Sequence, residues 1–184
     1  NNSFVNLQNS QIGASIPFDL NIESDSTSTV NITGNSYVFP TTNLSNNIEY
    51  ERQLFVGGKG IKDNGAKIRN STFIVNDQLG ANNGLIDFDN NTDIEQSAFE
   101  LSNNTLAGHA VKITVPGSYT FKDLTFIGFG VDNSQTAAVF NDSGGAVTII
   151  NNGGNTPTVR NGLSASTTIQ LPPRNILISG LVAG

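Results

Sequence analysis

The acidic run Asp87-Phe88-Asp89-Asn90-Asn91-Thr92-Asp93 places oxygen-bearing side chains at alternate positions. A tight loop can wrap a hard cation with such spacing. An EF-hand loop also needs Gly at the sharp turn and a bidentate Glu six residues later. Thr92 and Ala98 stand at those places. The run therefore reads as a turn whose Asp and Asn side chains cap their own backbone, and no metal is expected. Paired acids raise a second chemistry. Glycoside hydrolysis needs two carboxyl groups roughly 5–10 Å apart, one with a raised pKa. Asp87 with Asp89, Asp93 with Glu95, and Glu49 with Glu51 would each put two carboxylates on one face of a strand. With 15 acids in the chain such pairs also arise as solvated faces. The absence of Trp and the presence of only 3 Tyr leave few aromatic platforms for a sugar. No catalytic residue is expected.

The remaining reactive groups are sparse. His109 is the single histidine, so no multi-His metal site can form, and its place after Gly108 predicts a polar turn residue. Gly57-Gly58-Lys59-Gly60 lacks the glycine spacing and the Ser or Thr after Lys59 that a phosphate loop needs, and reads as a strand-end turn. Cys is absent, which removes disulfides and thiol chemistry. Asn-x-Ser/Thr triplets begin at Asn1, Asn31, Asn43, Asn70, Asn90, Asn103 and Asn141, as chance allows in so Asn-rich a chain. No cofactor is expected.

The elements that must carry these residues are strands. Only 13% of residues are charged, about half the usual share, and Asn, Ser and Thr fill the difference. Eleven Phe with many Val and Ile supply a core. A net charge of −6 with 9 scattered basic residues gives no footprint for nucleic acid. No apolar run approaches the ~18 residues that cross a membrane as a helix. Met is also absent, so a start at Asn1 predicts a processed or excised chain. Thr72–Val75, Leu85–Phe88, Val111–Val115, Leu124–Phe129 and Val147–Ile150 are short β-branched or aromatic runs with turn residues nearby. No sustained helical stripe appears, so the protein should be nearly all β.

Three positions repeat with one period. Ile68, Ile94, Phe121 and, more weakly, Val147 form one series, and Phe73, Phe99 and Phe126 a second. Ile86 and Phe88, Val111 and Ile113, and Ala138 and Phe140 form a third. Steps of about 25–27 residues fit a right-handed parallel β-helix of about 26 residues per coil. Phe73, Phe99 and Phe126 would then stack in one interior column. Asn side chains could bond along the same axis. The alternative is an antiparallel β-sandwich, which does not require a side-chain type to return at that interval.

The reading divides the chain into an irregular N-terminal capping segment (1–63), the coils (64–150) and a C-terminal extension (151–184). Pro172-Pro173 makes a rigid joint before Ile176, Leu177, Ile178, Leu181 and Val182. A strand that apolar needs cover on both faces, which predicts an interface between copies or with a following domain.

Ala146-Val147-Thr148-Ile149-Ile150-Asn151-Asn152-Gly153-Gly154-Asn155-Thr156-Pro157-Thr158-Val159-Arg160-Asn161-Gly162, then Ser166-Thr167-Thr168-Ile169 and Gly180-Leu181-Val182-Ala183-Gly184, resemble a segment of tailed-phage and prophage virion proteins. The resemblance covers about 40 residues at one end and includes no catalytic residue. It implies a virion structural protein, such as a capsid decoration or tail fibre component. The expected assembly is a homotrimer in contact with other virion proteins on the extracellular particle. The competing class is a glycan-binding or glycan-cleaving tail spike or adhesin. An ice-binding solenoid ranks third, because Thr is scattered rather than periodic.

Overall fold

The computed structural model describes residues 4–8, 11–22, 29–33, 36–45, 49–56, 61–64, 67–76, 79–88, 92–103 and 105–173. Side chains are described for 50–55, 67–76, 79–88, 92–103 and 105–173. The described chain is all β. Its strands are β1 (Phe4–Gln8), β2 (Gln11–Ile22), β3 (Thr29–Thr33), β4 (Ser36–Ser45), β5 (Glu49–Glu51) and β6 (Leu54–Val56). Then follow β7 (Ile61–Asn64), β8 (Lys67–Arg69), β9 (Thr72–Val75), β10 (Gly84–Phe88), β11 (Asp93–Glu95) and β12 (Ala98–Leu101). The last six are β13 (His109–Ile113), β14 (Gly117–Ile127), β15 (Val139–Asn141), β16 (Ala146–Gly154), β17 (Val159–Asn161) and β18 (Ser166–Gln170).

Every pairing among the described strands is parallel, which sets the antiparallel sandwich aside. Three ladders result. The first runs β1, β3, β5, β8, β11, β14, β16, β18. The second runs β2, β4, β6, β9, β12 and the end of β14. The third runs β2, β4, β7, β10, β13, β15, β17. Strands of residues 4–64 thus pair in the same ladders as those after them, and so do β16, β17 and β18.

The step between register partners is not constant. It is 25 residues from Phe4 to Thr29, 18 from Tyr50 to Ile68 and 26 from Ile68 to Ile94. It is then 27 from Glu95 to Lys122, 30 from Tyr119 to Ile149 and 20 from Ile149 to Ile169. A repeat of 25–27 residues therefore shows the first step and the middle of this ladder and passes over the steps of 18, 30 and 20.

Side chains alternate inward and outward as a pleated strand requires. Phe55, Phe73, Phe99 and Phe126 pair in register and stack, with ring centroids 4.9, 4.6 and 5.4 Å apart. All four are buried. Phe55 extends the column by one shorter step. A second inward column holds Tyr50, Ile68, Ile94 and Phe121.

The first and second ladders meet at a two-residue bend that recurs unchanged. Arg52, Asn70, Gln96 and Asp123 all adopt left-handed φ, between 49° and 53°. Each costs roughly 1 kcal/mol for a residue with a side chain. A serine ladder inside the bend offsets part of that cost. The Ser71 hydroxyl donates to Arg69 O and accepts from Gln53 N, while the Ser97 hydroxyl donates to Glu95 O and accepts from Ser71 N. Serine thus carries the main axial side-chain ladder. Asn adds two further contacts between rungs: Asn155 accepts from Phe126 N and donates to Phe126 O, and Asn141 Nδ2 reaches Asn161 Oδ1 at 3.4 Å and also donates to Thr167 Oγ1.

Candidate functional site

The first ladder carries its charges outward on consecutive rungs. Arg69 on β8, Asp93 and Glu95 on β11 and Lys122 on β14 face one side of the sheet. Arg69 Nη2 lies 3.0 Å from Asp93 Oδ2, and Arg69 Nε lies 2.5 Å from Glu95 Oε1. Lys122 Nζ approaches the same two carboxylates at 3.4 and 3.7 Å. Both acids thus sit between two cations. Burial works against the Asp93 charge, but hydrogen bonding and charge from Arg69, joined by Lys122, outweigh it and hold this carboxyl below its ordinary value. A glycosidase acid needs the opposite shift. Through Arg69 and Lys122 this pair ties neighbouring rungs together.

Of the other flagged acids, Glu49 and Glu51 pair in register with Lys67 and Arg69, one rung before this cluster. Asp87 is exposed on β10, whereas Asp89, Asn90 and Asn91 lie outside the described residues. Glu51 is on β5, and the Glu49 side chain is outside the described set. Gly57-Gly58-Lys59-Gly60 and the interface residues Ile176, Leu177, Ile178, Leu181 and Val182 also lie outside it.

His109 corrects the sequence reading: it is not a turn residue but the fully buried first residue of β13. Gly108, with φ +147°, feeds the chain into the strand, and the connections before and after this rung close over the imidazole. Nδ1 is 2.7 Å from Ala137 O and Nε2 is 3.0 Å from Ala81 O, contacts 28 residues away on either side. The ring stacks on Phe140 at 5.1 Å, and Arg160 covers the same phenyl ring at 4.8 Å. Arg160 Nη1 also donates to Ala81 O. Burial, with smaller contributions from the Arg160 and Lys112 charges, lowers the imidazole pKa against the pull of the two carbonyls. His109 thus lies between two neighbouring connections, and in its neutral form its single N–H can donate to one of the two carbonyls.

The sequence reading also missed a face. Where β14, β16 and β18 lie side by side, their outward rows are Ser118, Thr148 and Thr168, then Thr120, Ile150 and Gln170, with Ala146 beside Ser166. No charge stands in these rows. Their period is 30 and then 20 residues, which a search at 26 passes over. A groove of about 300 Å³ opens at one end, lined by Thr120, Ile150, Gln170, Leu171, Pro172 and Pro173 among others.

No protein-family model, curated protein or solved structure matches the chain.

Proposed function

We propose that the three ladders are the faces of a right-handed parallel β-helix, and that the chain is a non-enzymatic structural component of a virus particle. In this reading it is a capsid decoration or tail fibre element. It assembles as a homotrimer, touches other virion proteins, and binds neither nucleic acid nor membrane. The apolar stretch from Ile176 to Val182 contributes to the contact between copies. The carrying observation is the continuous parallel ladder that runs from β1 through β3, β5, β8, β11, β14 and β16 to β18. Eight strands of one ladder at about 4.8 Å spacing make a rod roughly 34 Å long. A rod held by main-chain bonds on every rung suits load-bearing. The neutralised Asp93–Glu95 pair supports an inert rather than a glycan-cleaving surface.

Antibodies raised against the chain test this by electron microscopy of particles released from the cells that encode it. Labelling on the particle surface supports the reading, and labelling confined to cell interiors overturns it. Release of oligosaccharide from host surface polysaccharide by the purified chain would instead favour a glycan-cleaving spike.

A further inference from the structure

We propose that the charge-free outward face of β14, β16 and β18 is where a second copy of this chain docks. This rests on the homo-oligomeric reading above and assigns it a surface. The chain carries a net charge of −6, so two copies repel across most approaches. On the same ladder, β8 and β11 are charged outward at Lys67, Arg69, Asp93 and Glu95, and on β14 itself Lys122 stands one outward position beyond Thr120. The charge stops there. Ser118, Thr120, Thr148, Ile150, Thr168 and Gln170 then present short or neutral side chains in register, a surface on which an identical surface can lie without desolvating an ion.

Exposed apolar groups gather at the same place. Six large hydrophobics are exposed among the described residues, and three of them bound this face: Ile150 within it, Val115 before β14 and Leu171 after β18. Leu171 and Ile150 both line the groove.

Size sets the strength. Three strands by five residues cover roughly 16 by 14 Å, on the order of 230 Å². That is well below the ~800 Å² per partner of a stable complex. The face therefore supplies a specific, concentration-dependent part of the assembly rather than all of it. Sedimentation equilibrium of the full chain across a range of concentrations, with Thr148→Glu and Ile150→Lys against a Val131→Lys control, tests the assignment. Val131 is exposed and lies off this face. The expected result is an oligomer for wild type and control, and at least tenfold weaker association for both face variants, with unchanged circular dichroism. Wild-type oligomers that both variants leave intact overturn this assignment and spare the homo-oligomeric reading. A wild-type chain that stays monomeric overturns both.

Discussion

Phe99→Ala removes the middle of the aromatic column. The Phe99 ring is fully buried and stacks on Phe73 at 4.6 Å and on Phe126 at 5.4 Å, nearly parallel to both. Phe-to-Ala substitutions in cores cost about 3–5 kcal/mol, depending on how far the site collapses. Here collapse is poor. The neighbouring rings are fixed by β9 and β14, whose spacing from β12 is set by ladder hydrogen bonds. Two stacking contacts worth roughly 0.5–1.5 kcal/mol each are lost as well. The cost should fall near the top of the range, about 5 kcal/mol. At 2–4 °C per kcal/mol for a chain of this size, the Tm should drop by about 10–20 °C. Phe99→Leu refills most of the volume but not the stacking, so it should cost only about 1–2 kcal/mol. Urea denaturation followed by circular dichroism measures both. A Phe99→Ala cost under about 1 kcal/mol refutes the continuous column. Equal costs for Ala and Leu refute the cavity argument, because stacking alone would then carry the effect.

Two further predictions concern charge. His109 has a lowered pKa in the fold, so its contribution is complete above the unfolded value of about 6.5 and is lost as pH falls from there toward the folded value. His109→Gln should flatten the Tm-against-pH curve between pH 7 and 5, and the protection of the Leu79 and Gly80 amides against hydrogen exchange, corrected for the intrinsic rate at each pH, should no longer fall in acid. Asp93 has a lowered pKa too, but as an acid its contribution is present above its unfolded value and is lost as pH falls through the folded one. Acid titration of Asp93→Asn should show a shallower loss of stability below about pH 4 than wild type. Arg69→Ala, which strands two carboxylates beside one remaining lysine, should cost about 1–2 kcal/mol in denaturant titration.

The middle of the fold was legible because its steps are equal. Phe73, Phe99 and Phe126 return at 26 and 27 residues, and an apolar side chain cannot leave an inward position without exposing it. Tyr50 and Phe55 obey the same rule one rung earlier, but their step is 18, so a search at 26 misses them. The candidate site was half legible. Asp93 and Glu95 stood out as an acid pair, yet Arg69 and Lys122 that neutralise it were not sought. The signal was present: Arg69 to Glu95 to Lys122 steps by 26 and 27, the spacing already found for Phe. His109 was misread because Gly108 suggests a turn locally. Its burial is made by residues 28 positions away on both sides, which no local window contains.

The bends explain where the period is allowed to vary. Between the first and second ladders, the chain turns through two residues each time, with Arg52, Asn70, Gln96 and Asp123 in left-handed φ and Ser71 and Ser97 bonded from rung to rung. An insertion there would break the serine ladder and misplace both inward columns at once. Between the second and third ladders the connections are 76–83, 102–108 and 128–138, and the last of these helps produce the longest steps. Those connections are held to one another by main-chain bonds such as Leu79 N to Ala107 O and Gly108 N to Gln135 O. Length varies on that side although Leu79, Leu106 and Phe129 pack against the core from it. His109 sits at the edge of this variable side, and its two carbonyl contacts anchor to the ladders a region that the repeat itself does not constrain.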